Sequence, residues 1–256
     1  MMQFIDTHTH LYAEEFDADR KLSVEKCITQ GINKLFLPNV DSESISRMLQ
    51  LETDYPENCF AMMGLHPCSV NQDFEKELAI VKSWLEKRNF IAVGEIGIDL
   101  YWDKTFINEQ LHCFETQIQW ALEYDLPIVI HCRDAFDEIY DVLKKFSQLP
   151  KGIFHCFSGN VEQAKKIIDL NTFKLGIGGV LTFKNSGLDK VVEQIDLTHL
   201  VLETDSPYLA PVPYRGKRNE SSYLNLVAEK LASIKQVTLE EIAEITTQNA
   251  LSIFKI

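Results

Sequence analysis

The stretch Ile91-Ala92-Val93-Gly94-Glu95-Ile96-Gly97-Ile98 is almost wholly apolar, and its single charge lies in the middle. A strand wet on one face alternates apolar and polar residues, whereas one covered on both faces reads as a continuous apolar run. Leu126–Cys132 (LPIVIHC) and His199–Asp205 (HLVLETD) repeat the pattern, each an apolar run with a polar end. These are the marks of parallel strands sandwiched between helices and a packed interior.

Working outward, candidate strands fall at Gln3–His8, Lys34–Val40, Cys59–Gly64, Phe90–Ile96, Pro127–Cys132, Gly152–Cys156, Phe173–Ile177 and Leu200–Thr204. The intervening segments carry helical spacing, clearest from Asn108 to Tyr124, where Leu111, Phe114, Ile118, Ala121 and Leu122 share a face. A helical tail is expected from Asn219 to Phe254. Eight β-α units in about 250 residues predict a TIM-type (β/α)8 barrel of the α/β class. No low-complexity run or Gly/Ser linker divides the chain, so residues 1–256 read as one barrel domain. An open doubly wound sheet is the alternative, but neither G-x-G-x-x-G nor a Walker A pattern is present.

Lys and Arg total 25 against 38 Asp and Glu, a net charge of −13. That argues against a protein that wraps a phosphate backbone, unless metal ions supply local positive charge. Six cysteines without a C-x-x-C pair read as reduced thiols in a cytoplasmic protein. No apolar run approaches the ~20 residues of a membrane span. MMQFIDTHTH has neither a basic start nor an apolar signal core. A cytoplasmic location is expected, with no membrane and no obligate protein partner.

Polar residues gather where the strands end. His8-Thr9-His10, Gly64-Leu65-His66-Pro67, Gly94 to Asp99, His131-Cys132-Arg133-Asp134, His155-Cys156 and Glu203-Thr204-Asp205 follow six different strands. In a barrel all six C-terminal ends open on one mouth, where active sites lie. Alternation puts His8 and His10 on one face, able to chelate one ion, with Asp6 facing inward one layer deeper. The same rule sends Cys132 and Cys156 toward the helices as small buried hydrophobes, so the two His-Cys pairs are not metal pairs. His112, inside a helical pattern, and His199, at a strand start, keep structural roles.

Nitrogen and carboxylate donors without thiolate suit Zn, Mn, Fe, Co or Ni, and Mg where carboxylates dominate. His8, His10, Glu95, His131, His155 and Asp205 are too many for one tetrahedral site but suit two ions. Glu95 is the natural bridge, and Asp205 is a candidate for both ligand and base.

With these residues assembled, the chain closely resembles the TatD family of metal-dependent deoxyribonucleases, within the amidohydrolase-like metal-dependent hydrolases. The resemblance rests on DTHTHL (Asp6–Leu11), GLHP (Gly64–Pro67), GEIGID (Gly94–Asp99), IHCRDA (Ile130–Ala135), HCFSG (His155–Gly159), ETDSPYLAP (Glu203–Pro211) and GKRNE (Gly216–Glu220). These blocks follow the family's order over nearly the whole chain. The chain departs at Ser221-Ser222, where the family usually has proline and a small residue, and at Leu100, where an aromatic is common.

The resemblance implies two divalent ions, Mg, Mn or Zn. His8, His10, Glu95 and Asp205 would hold one, and Glu95, His131 and His155 the other. It places His66, Asp99, Tyr101, Arg133 and Glu203 near the substrate, with Glu203 joining Asp205 as a catalytic candidate. The implied activity is 3′-to-5′ exonuclease cleavage of single-stranded DNA, with RNA as a second substrate. Arg133, Arg215, Lys217 and Arg218 would meet phosphates, and Tyr101, Trp102, Phe157 and Tyr214 would stack bases. Two other classes fit the same motifs. One is a metal-dependent hydrolase of a different ester, lactone or amide, including an aminoacyl-tRNA ester; the other is a non-catalytic metal-bound barrel.

Overall fold

The computed structural model describes residues 2–256. Strand and helix alternate throughout. β1 (Phe4–Asp6) leads to α1 (Arg20–Thr29), β2 (Ile32–Leu37) to α2 (Ile45–Asp54), and β3 (Cys59–Ala61) to α3 (Phe74–Lys87). β4 (Val93–Asp99) is followed by α4 (Ile107–Glu123), β5 (Ile128–Arg133) by α5 (Phe136–Leu143), and β6 (Gly152–Phe154) by α6 (Val161–Asp169). β7 (Phe173–Ile177) precedes α7 (Leu188–Gln194), and β8 (Leu200–Leu202) precedes α8 (Leu224–Lys235) and α9 (Leu239–Ile253).

All strand pairs are parallel and run in chain order, β1-β2-β3 in one arc and β4 through β8 in the other. Two seams close the ring. At one, Met63 bridges Val93 and the Gly94 amide donates to the Met63 carbonyl at 3.1 Å. At the other, Thr9 bridges Ser206 and the Thr7 amide donates to the Leu202 carbonyl at 3.1 Å. The result is a TIM-type barrel.

Alternate residues divide between two cores. Leu35 and Leu37, Ile128 and Ile130, and Leu200 and Leu202 pack outward with the helices. Between them, Phe36, Val129 and Val201 join Ile5, Met62, Ala92 and Ile153 in a separate cluster that fills the barrel. Ala250, Ile253 and Phe254 belong to this inner cluster, so the end of α9 plugs the bottom, with Phe254 edge-on to Phe36.

The expected strands are all present, but most stop early at their C-terminal ends. Polar residues there leave the ladder to face the mouth, and Asp134, Cys156 and Asp205 take positive φ of 53°, 47° and 58° as the chain turns away. β4 differs: it ends at Asp99 rather than Ile96, which puts Asp99 as well as Glu95 inside the strand. Gly97 makes this possible. A Cβ there would sit 2.0 Å from the His131 carbonyl oxygen, so only glycine lets β4 approach β5 closely enough for Glu95 and Asp99 to flank His131.

The tail from Asn219 to Phe254 is not one helix but two. Gln236 takes a left-handed φ of 54° and ends α8, and the Val237 amide returns to the Ala232 carbonyl. Thr238 then caps α9 by accepting from the Glu241 amide. Among the described residues, no helix is long and apolar enough to cross a membrane.

Candidate metal centre

Glu95 is the hub. Its Oε2 lies 3.1 Å from His8 Nε2 and 3.8 Å from His10 Nε2. Its Oε1 lies 2.8 Å from His131 Nδ1 and 3.4 Å from the Nε2 atoms of both His155 and His66. Asp205 Oδ1 completes the first group, 3.8 Å from His8 Nε2 and 3.6 Å from His10 Nε2. Of the other five expected ligands, His8, His10 and Asp205 thus gather on the Oε2 side of Glu95 and His131 faces Oε1, while His155 faces Oε1 and also reaches Asp205 Oδ1 at 4.0 Å.

The hydrogen bonds behind the imidazoles decide which nitrogens carry lone pairs. The Tyr12 hydroxyl donates to the Pro38 carbonyl, so it accepts from His10 Nδ1 at 2.8 Å and leaves Nε2 bare toward the cluster. Glu203 Oε1 stands 3.0 Å behind His155 Nδ1, a charge contact that falls short of hydrogen-bond geometry, with Nε2 facing inward. Asp99 Oδ2 holds the far nitrogen of His131 at 2.9 Å. His66 is the exception. Its Nδ1 accepts from the Cys68 amide at 3.0 Å, so its Nε2 carries the proton and donates. This makes His66 a donor to Glu95 or to a ligand oxygen rather than a lone-pair donor to a cation.

The donor set fits divalent ions. Nitrogens and oxygens about 2.1 Å from a common centre lie roughly 3–3.5 Å apart, close to the spacings around each Glu95 oxygen. Electrostatics agree. Burial raises the Glu95 carboxyl, yet His8, His155, His66 and His131 outweigh it and hold the group well below the usual carboxylate range. Burial lowers the His155 imidazole, but Glu203, Glu95 and Asp205 outweigh it and push the group up to about 10. Buried carboxylates here demand positive charge, which protons or cations can supply.

Asp6 is a satisfied seam carboxylate. It accepts from the His8 and Thr204 amides and from the Thr204 hydroxyl at 2.6 Å, tying the two segments that carry His8 and Asp205. Burial pushes its carboxyl up to about 7, partly offset by those hydrogen bonds.

Several expected roles change. Glu203 is fully buried behind His155 and accepts from the Cys156 amide; a Cβ on Gly176 would lie 2.2 Å from its Oε2. It positions His155 and has no open path to a substrate. Asp99 lines the pocket but is only 1% exposed, with Oδ1 taken by the Tyr101 and Trp102 amides and Oδ2 by His131, so it orients His131. Arg218 makes a two-pronged pair with Asp19 at 2.7 and 2.6 Å, away from the pocket. Tyr214 stacks on Tyr223, and Phe157 is buried. Cys132 is half-buried: it packs against the outer core but also lines the pocket above the centre. Cys156 does not join that core: β6 has ended, its φ is 47°, and its thiol groups with His155 and Glu203 at the pocket wall. His112 meets Phe74 edge-on, consistent with a structural role.

Above the centre opens a pocket of about 1130 Å³. Arg133 stands on its rim, its guanidinium 3.8 Å from the Tyr101 ring centroid and 5.3 Å from that of Trp102. Arg215 lies 3.7 Å over Phe183, with Lys184 beside it on the facing wall. Phe183 and Lys184 escaped the sequence reading, because no motif marks the loop after β7; Tyr208, in the loop after β8, was legible only as part of ETDSPYLAP. Asn219 was legible only as part of GKRNE. Buried, it donates to the Thr204 and Tyr208 carbonyls and braces the loop that carries Asp205.

Because Arg218 is committed to Asp19, Arg218→Ala should leave kcat/KM within about threefold of wild type while lowering stability by about 1 kcal/mol through a partly exposed pair. Steady-state kinetics and urea unfolding check both; a tenfold rise in KM would return Arg218 to the substrate.

A family model described as TatD related DNase matches residues 5–255. The chain belongs to that family. It is 40% identical to an uncharacterized metal-dependent hydrolase, YabD of Bacillus subtilis, over 98% of each chain. It is 30% identical to YjjV of Escherichia coli, another uncharacterized metal-dependent hydrolase, over 99% of this chain and 98% of that one. The crystal structure of YjjV, described as a TatD homologue, superposes with a TM-score of 0.92 at 31% identity, covering 99% and 98% of the two chains. This chain is a TatD-family metal-dependent hydrolase.

Proposed function

We propose that the protein is a two-metal phosphodiesterase that removes nucleotides from the 3′ end of single-stranded DNA, with RNA as a second substrate. The observation that carries this reading is the division of Glu95, whose two oxygens face separate donor groups on the floor of a pocket rimmed by Arg133, Lys184 and Arg215. His8, His10, Glu95 and Asp205 would hold one divalent ion, and Glu95, His131 and His155 the other. When bound, such ions lower the pKa of a water and offset charge on phosphoryl oxygens.

The chain's own residues do the rest. Tyr101 and Trp102 hold the Arg133 guanidinium in place to meet a phosphate. His66 Nε2 donates to a substrate oxygen. Asp205 accepts the proton of the attacking water. With a net charge of −13, the basic groups confined to this rim suit a strand end rather than a long backbone track.

Protein stripped of metal and reloaded with Mg, Mn or Zn should shorten single-stranded DNA labelled at its 5′ end, one nucleotide at a time from the 3′ side. If DNA and RNA survive all three metals while a lactone or carboxylic ester is cleaved, the nuclease reading is wrong.

A further inference from the structure

At the opposite end of the barrel lies a small cavity of about 190 Å³. We propose that it is a binding site for a small oxyanion of phosphate size. Lys151 precedes β6, Thr172 precedes β7, Lys174 lies within β7 and His199 precedes β8, so the starts of three neighbouring strands bring them together. Three basic side chains thus line the cavity, and among the described residues no Asp or Glu does. In a chain with 38 acidic residues against 25 basic ones, such an uncompensated group stands out.

The ammonium groups are held in place rather than free. Lys151 Nζ donates to the Ser252 carbonyl at 2.9 Å, and Lys174 Nζ donates to the Thr198 carbonyl at 2.6 Å. Each contact uses one of three N–H groups and leaves two for a ligand. Neither carbonyl neutralises a charge. Burial and the Lys151 charge lower Lys174, and burial and the Lys174 charge lower His199 against an opposing pull from Asp196, so the groups sense one another at the cavity. Asp196, the carboxylate that acts on His199, already accepts from the Thr198 amide and hydroxyl. A neutral donor completes the set: the Thr172 hydroxyl is buried without a partner.

At about 30 Å³ per water, the cavity has room for roughly six waters, which suits an ion such as phosphate and not a nucleotide. An anion bound only by the folded chain would tie the end of α9, through Ser252, to β6, β7 and β8, and so raise the melting temperature.

Inorganic phosphate titrated into the full-length protein, with chloride at matched ionic strength as control, tests the site. The His199 ring signal, assigned with a His199→Gln variant, reports on this end of the barrel and not on the metal centre. It should move saturably with phosphate and not with chloride, and its apparent pKa should rise. The phosphate-dependent rise in melting temperature should fall by at least half in Lys151→Ala/Lys174→Ala. A His199 signal indifferent to phosphate, or an equal thermal shift in the double variant, overturns the proposal. If the double variant does not fold, the His199 titration in the wild-type chain decides alone.

Discussion

Replacing Glu95 by alanine is expected to lower turnover by at least about a thousandfold and to reduce occupancy of both metal positions. The expectation follows from its two-sided contacts. Oε2 faces His8 and His10, and Oε1 faces His131, His155 and His66, so one truncation removes an anion from both groups. The imidazoles would then face one another without it. His8 and His155 already stack at 3.5 Å between centroids, and a cation shared among them would lack charge balance. Glu95→Gln keeps the shape and loses the charge, which separates electrostatics from packing. Elemental analysis after equilibration with one metal, alongside turnover, provides the check. An alanine variant that retains two ions per chain would show that Glu95 does not bridge.

The parts of this centre that were legible in the sequence are those where local pattern and chemistry coincide. Apolar runs with polar ends announced buried parallel strands, and six such ends announced a common mouth. His8 and His10 could be paired because a single residue, Thr9, separates them. What stayed hidden depends on where the chain leaves the ladder and on contacts distant in sequence. Cys156 was expected among the helices because alternation was extended past Phe154, where β6 ends. Arg218 was expected on the substrate because nothing near it in the sequence points to Asp19, 199 positions earlier. Glu203 looks like a catalytic carboxylate and Asp99 like a substrate contact in one dimension, and only their contacts show that they back His155 and His131. In each case residue type was read correctly, and the neighbours it meets in space were not.

Exposure singles out Asp205 for the second large effect. The side chains of Glu95, Glu203 and Asp99 are 2%, 0% and 2% exposed, and that of Asp205 is 15% exposed. Of these four carboxylates, only Asp205 opens enough on the pocket to take a proton from a water beside the substrate. Burial raises its carboxyl, but His10, His155 and His8 outweigh it and keep the group below the ordinary aspartate range, ionised at neutral pH. Asp205→Asn preserves the shape and an oxygen donor. Asparagine also tolerates the left-handed φ of 58°, so the Asp205 amide can still donate to the His8 carbonyl at 2.9 Å. The fold and much of the metal content should therefore survive, while kcat falls by about 10²–10⁴-fold, the usual contribution of a general base. KM should change little, because the rim that holds the substrate is untouched. A matching loss of metal and activity would reduce Asp205 to a ligand alone; near-normal turnover would remove it from the chemistry altogether.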